Sequence, residues 1–152
     1  MTKAELDEFL AAERTCRVAT ISPAGPHNTP LWFAWDGNSL WLTSIVKSQR
    51  WADLQRDPRV AVIVDAGTDY AELRGVEIAG TVTVVGDAPR PTDAAEHPEL
   101  TEPERLFAEK YTGGTFINDG RHGWLRVTPG KITSWDFRKS FEPGTGGASR
   151  RG

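Results

Sequence analysis

Two periodicities alternate along the chain. Leu6, Phe9 and Leu10 fall at i, i+3 and i+4, the spacing of an apolar stripe on one helix face. Thr2 and Glu5 stand ahead of them in a capping-box arrangement, in which a hydroxyl and a carboxylate satisfy free backbone amides. These residues predict a short helix ending near Glu13. Period-2 patterns then take over. Cys16–Ser22 is short and β-branched, and Ser22-Pro-Ala-Gly-Pro26 carries turn chemistry. In Thr29–Trp35 the residues Leu31, Phe33 and Trp35 share one face and Trp32 takes the other. Asp36-Gly37-Asn38 signals a tight turn, and Leu40–Thr43 is the returning strand.

Helical spacing returns at Ser48, an N-cap residue followed by Trp51 and Leu54. Asp57-Pro58 ends that helix near Arg56, because the residue before a proline avoids helical angles. Val60–Asp65 is too apolar for a half-exposed strand and is expected at the centre of a sheet. In Val76–Val85 the residues Val76, Ile78, Gly80, Val82 and Val84 share one face, with Glu77, Ala79, Thr81 and Thr83 on the other. A Pro-, Asp- and Glu-rich loop is expected from Gly86 to Pro103, then a short helix over Glu104–Tyr111 that buries Leu106 and Phe107. Trp124–Thr128 and Ile132–Trp135 read as two strands around a Pro129-Gly130 turn. The tail from Pro143 is too polar and glycine-rich to order itself. The expected organisation is one domain over residues 1–140 and a flexible tail over 141–152. About six short strands with few helices point to a mainly β fold, a closed or half-closed antiparallel barrel. A parallel α/β sheet would need a helix between most strands.

Bulk properties narrow the function. A chain of 152 residues suits one domain with its own core, and 26% charged with 38% hydrophobic residues is globular composition. The net charge of -3 argues against a nucleic-acid partner, which calls for a basic face. Cys16 is the one cysteine, so no disulfide forms within the chain, which suits the cytosol. The first residues are charged and helical in pattern, unlike an apolar leader. No apolar run approaches the ~18 residues of a membrane span. A cytoplasmic protein without membrane or nucleic-acid partners is the expectation.

The segment Thr43-Ser-Ile-Val-Lys-Ser-Gln-Arg50 carries the most chemistry. It sits where a strand ends and a helix begins, and free amides with a partial positive charge at a helix start attract phosphate. Lys47 and Arg50 add full charges there, while Thr43, Ser44 and Ser48 add hydroxyls. The residues alone leave open a plain solvated helix start. Trp32 and Trp41 precede this cradle and suit either a flat ring or core packing. Trp135 stands beside Arg138 and Lys139 near the end of the domain. His27, His97 and His122 show no metal-ligand spacing with one another or with Cys16. No nucleophile elbow, Walker loop or dinucleotide fingerprint occurs. Asp65, Asp69, Glu72 and Glu77 are acidic, but nothing marks two of them as an acid/base pair.

The blocks RVATISPAG, TPLWFAWDGNSLWLTS, KSQRWADLQRDPRVAV, LRGVEIAGTVTVV, KYTGG and ITSWDFRK, in this order and spacing, resemble one family. It is the pyridoxamine-phosphate-oxidase-like split β-barrel family, and within it the actinobacterial flavin/deazaflavin oxidoreductase branch. The resemblance implies a six-stranded antiparallel split barrel, FMN-binding-like, that forms a homodimer with the cofactor in a groove at the interface. Ser48, Gln49 and Arg50 match the family's phosphate-binding motif, with Lys47 just before it. Pro30, Leu31 and Trp32, with Thr43 and Ser44, match positions lining the ring system. Trp135 and Arg138 match positions reaching the groove from the partner chain.

Two positions depart from the pattern. Gln49 replaces a usual basic residue, and Asp53 stands where asparagine is common. The segment that recognises pyridoxal phosphate in the oxidase proper is not evident, so vitamin B6 activity is not expected. The family's cofactors are flavin mononucleotide (FMN) and the deazaflavin coenzyme F420, and KSQRWADLQRDPRV and SWDFRK look most similar to the deazaflavin branch. The resemblance therefore implies an F420-dependent oxidoreductase passing a hydride to a small electron-poor acceptor, with FMN or a non-catalytic carrier or sensor as alternatives. Such a protein needs no catalytic nucleophile or metal, because the cofactor carries the reactive chemistry.

Overall fold

A computed structural model of the chain describes residues 1–141; the expected tail beyond Phe141 lies outside the described residues. The elements run α1 (Lys3–Ala12), β1 (Thr15–Ser22), β2 (Gly25–Trp35), β3 (Leu40–Ile45), α2 (Gln49–Arg56), β4 (Arg59–Ala66), β5 (Arg74–Val85), α3 (Thr101–Phe107) and β6 (His122–Asp136). Six antiparallel strands close into a barrel in the order β1-β2-β3-β6-β5-β4, with β4 returning to β1.

The first helix forms as the pattern predicts. Thr2 Oγ1 accepts from the Glu5 amide, and Glu5 Oε1 accepts from the Thr2 amide, completing the capping box. Its apolar stripe of Leu6, Phe9 and Leu10 joins the core inside the barrel. That core is built by alternation: Cys16 and Val18 of β1, Val60, Val62 and Val64 of β4, and Val76 and Ile78 of β5 all point inward. A second cluster lies outside the barrel wall. There Ala34, Trp41, Val85 and Trp124 are covered by Leu100 and Phe107 of the 86–107 segment.

The structure corrects the reading of three segments. Trp124–Thr128 and Ile132–Trp135 are not two strands, because β6 runs unbroken through Pro129-Gly130. Its register against β5 shifts there: Ala79 pairs with Lys131, but Gly80 pairs with Pro129, so Gly130 is an extra residue in a β-bulge. Gly80 makes the bulge possible, since a Cβ at that position would collide with the Thr128 carbonyl. The third helix begins at Thr101 and ends at Phe107, and one π turn carries the chain on through Ala108–Thr112. The second strand begins at Gly25 rather than Thr29.

The barrel is split at one seam. β2 pairs with β3 only through Phe33–Leu42, Ala34–Trp41 and Trp35–Leu40. Before Phe33, β2 stays with β1; beyond Leu42, β3 stays with β6. The two strands part at this point; α2 packs against β1, and its Arg50 side chain reaches both parted strands.

Candidate cofactor-binding site

Ser48 caps α2, its Oγ accepting from the Trp51 amide. Trp51 is buried and anchors the helix against β6, where a Cβ on Gly123 would lie 2.7 Å from the Trp51 ring. The helix start is thereby fixed at the open seam. Arg50 fills the seam itself and is 9% exposed. Its Nη1 donates to Thr29 Oγ1 at 2.6 Å on β2, and its Nε donates to Ser44 Oγ at 3.3 Å on β3. Ser44 is fully buried and lies 3.5 Å from Ser48 Oγ.

Among the described residues, no carboxylate pairs with Arg50; both side-chain partners are neutral hydroxyls. Burial pulls its pKa down from the ordinary value, yet a guanidinium keeps its proton in proteins. A buried, permanent cation with only neutral partners is electrostatically short of an anion. Lys47, one residue before the cap, is exposed and adds to the positive field.

The turn behind the cradle is held by Asp53, which is fully buried. Its Oδ2 accepts from Thr20 Oγ1 at 2.8 Å and lies 3.3 Å from His27 Nδ1. Its Oδ1 accepts from Gln49 Nε2 at 2.7 Å and from Arg56 Nη2 at 3.2 Å. Burial alone would raise this carboxyl, but the hydrogen bonds from Gln49, Thr20 and Arg56 outweigh it and hold the pKa below its ordinary value. The two departures from the family pattern thus bond to each other: Gln49 is tied to Asp53, and both brace α2 rather than the ligand side.

The tryptophans divide. Trp41 belongs to the core and donates Nε1–H to Asp36 Oδ2 at 2.8 Å. Trp32 is 46% exposed and stacks on Tyr111, centroids 4.3 Å apart and planes within 7°. Tyr111 is itself pinned, its hydroxyl donating to the Arg14 carbonyl at 2.7 Å. Beside Trp32, Thr43 lines a pocket of about 220 Å³ with Phe107, Phe116, Asp119 and His122. Pro30 is exposed on the outer face of the same strand, and Leu31 turns inward against the core.

The expected residues Thr43, Ser44, Lys47, Ser48, Gln49 and Arg50 therefore gather at one seam, with Pro30, Leu31 and Trp32 on the adjoining strand. Trp135 and Arg138 do not join them within this chain. They lie at the other end of β6, where the Trp135 ring covers Gly75 and Arg138 pairs with Asp136. Thr29 carries no local sequence signal for the site, although it shares the inward face of Leu31 and Phe33. The His122–Asp119 pair has no sequence signal beyond an i, i+3 spacing in a turn.

The chain belongs to the pyridoxamine 5'-phosphate oxidase family, whose model matches residues 2–136. Among solved structures it is similar to a conserved hypothetical protein of Mycobacterium tuberculosis, at 33% identity and a TM-score of 0.76, covering 100% of this chain and 93% of that one. An F420 reductase shares the fold at 24% identity and a TM-score of 0.62, covering 84% of this chain and 94% of that one. A FAD-binding protein of Mesorhizobium loti shares it at 19% identity and a TM-score of 0.66, covering 88% and 92%. No protein of curated function matches the chain. Among the described residues no helix is long and apolar enough to cross a membrane.

Proposed function

We propose that this protein is an oxidoreductase that binds deazaflavin F420 and serves transfer of a hydride to a small electron-poor acceptor. The observation that carries the reading is Arg50: a buried guanidinium at a helix start, held by two hydroxyls and with no carboxylate partner among the described residues. A cofactor phosphate supplies that anion. The residues present fit it, with Arg50 and Lys47 as cations and the Ser48 hydroxyl and α2 amides as donors. The ring system then lies along Trp32 and Thr43, where aromatic surface is exposed. When bound and reduced, the deazaflavin supplies the hydride; the protein supplies grip, orientation and shelter from water. Similarity to an F420 reductase supports this choice of cofactor.

The groove is completed by a second copy in this reading. Across the outer barrel face Ala19, Ala61 and Ala79 align in register on β1, β4 and β5, with Ile21 exposed beside them. A row of small side chains on this face of the sheet allows close approach of another such sheet. The partner's copies of Trp135 and Arg138 would then reach the cofactor.

Paired titrations with F420 and FMN test the proposal. Tight binding of F420 with acceptor-dependent oxidation of its reduced form supports it. Preference for FMN moves the protein to the flavin branch. Binding without oxidation by any acceptor makes it a carrier or sensor, and binding of neither overturns the reading.

A further inference from the structure

The block KYTGG has no part in the cofactor site, yet it carries a half-buried amine. It enters the π turn Ala108–Thr112, where Lys110 and Tyr111 both reach across to β2. Lys110 Nζ donates to the Leu10 carbonyl at 3.0 Å and to the Phe33 carbonyl at 3.4 Å. It lies 3.7 Å from the centre of the fully buried Phe33 ring. Among the described residues no carboxylate bonds to this amine, and the neighbouring Glu109 pairs with Arg105 at 2.8 Å instead. The other charged or titratable groups around it are Glu13 and Arg14 at the end of α1 and Cys16 of β1. Burial is the main cause that pulls the Lys110 pKa down to about 8. Lys110 also lines a pocket of about 220 Å³ with Ala11, Ala34, Trp35, Leu106 and Glu109. That pocket shares no lining residue with the one beside Trp32 and Thr43.

The two carbonyls occupy two N–H bonds of the nitrogen. A neutral amine keeps both and has its lone pair left for a carbon atom. Ala11, Ala34, Trp35 and Leu106 make the walls mostly apolar, and the Glu109 carboxylate repels anions, so the pocket suits a small neutral electrophile. We propose that Lys110 is a covalent capture site for small uncharged aldehydes, which enter this pocket and condense with the ε-amine to an imine. The ammonium first gives a proton to water. The nitrogen lone pair then attacks the carbonyl carbon, and the carbonyl electron pair moves to the oxygen, which takes a proton to give a carbinolamine. The C–O bond breaks, the oxygen leaves as water, and the iminium that remains keeps one N–H for the Leu10 carbonyl. In sum one ammonium and one aldehyde give one iminium and one water, with no oxidant or reductant. The step is independent of the oxidoreductase reading above.

The test uses butanal as probe with cyanoborohydride, which reduces each imine to a stable secondary amine whose position is read by peptide mass spectrometry. In the folded protein Lys110 is expected to be alkylated about 10-fold or more faster than the exposed Lys3, Lys47, Lys131 and Lys139. Its rate is expected to saturate with butanal and to level off above about pH 8, where the amine is mostly free. Ala11→Trp fills the pocket from the exposed side of α1 and leaves the lysine in place. This variant is expected to keep the circular dichroism spectrum of wild type and to lose both the saturation and the preference for Lys110. Alkylation of Lys110 in wild type no faster than that of the exposed lysines overturns the proposal, as does a preference that a folded Ala11→Trp leaves intact.

Discussion

Arg50 Nη1 lies 2.6 Å from Thr29 Oγ1, bridging the seam where β2 and β3 separate. The bond immobilises a long side chain before any ligand arrives, so less entropy is lost on binding. Arg50→Met keeps much of the apolar stem and removes the charge. It is expected to weaken F420 binding by about 1.5–3 kcal/mol, roughly 10- to 150-fold in Kd. Thr29→Val removes one neutral partner and is expected to cost about 0.5–1.5 kcal/mol. Fluorescence titration of the coenzyme measures both, and an unaltered Kd for Arg50→Met would take the guanidinium out of the site.

Asp53 makes acid stability a readout of the brace behind the cradle. Its folded pKa lies below the unfolded value, because hydrogen bonds from Gln49, Thr20 and Arg56 outweigh the cost of burial. The stability it contributes is therefore present above the unfolded carboxylate pKa, about 3.9, and lost as pH falls through the lower folded value. Asp53→Asn should be less stable than wild type at neutral pH and lose less on acidification. Urea midpoints at several pH values check this, and parallel curves would contradict it.

Cys16 is fully buried, and desolvation pushes its thiol up to about 12. The raised folded pKa contributes stability that is complete below the unfolded thiol value, about 8.5, and lost as pH rises toward the folded one. A thiol reagent at pH 8 should leave the native protein unlabelled and modify it only on unfolding. Rapid labelling without denaturant would refute the inert-core assignment.

The outer-face alanines offer a test of self-association apart from the cofactor. Ala61 lies between Ala19 and Ala79 in the sheet register. Ala61→Arg places a charged side chain at the centre of that face and should convert a dimer to a folded monomer. Sedimentation reads the mass, and circular dichroism confirms the fold. A variant that remains dimeric would place the interface elsewhere.

Much of the fold is legible in local sequence. The capping box, the alternation in β4 and β5 and the Asp36-Gly37-Asn38 turn each act within a few residues, so their signals survive without tertiary context. The consecutive run from Thr43 to Arg50 exposes most of the cradle for the same reason. Thr29 is different. It contributes only because the strands diverge at Phe33, a property of pairing rather than of its own neighbours. Pro129-Gly130 misleads for a related reason. Those two residues carry turn chemistry, and the room that keeps them in a strand comes from Gly80 across the sheet. His122 reads as an isolated histidine until the turn at Asp119 brings a carboxylate to it.

The extra residue at Gly130 also governs how the chain tolerates changes in length. Above it, odd-numbered residues of β6 such as Trp135 face outward; below it, even-numbered ones such as Trp124 do, while Leu125 and Val127 face the core. Deleting Gly130 would restore a simple alternation against β5 and leave Trp124 facing outward and Ile132 and Ser134 inward, as they do with the bulge. A single-residue gap within the paired stretches Leu125–Val127 or Ile132–Ser134 would instead turn part of the strand over. By contrast, the exposed stretch around Pro91–Glu96 pairs with no strand, and its length can vary without inverting any face.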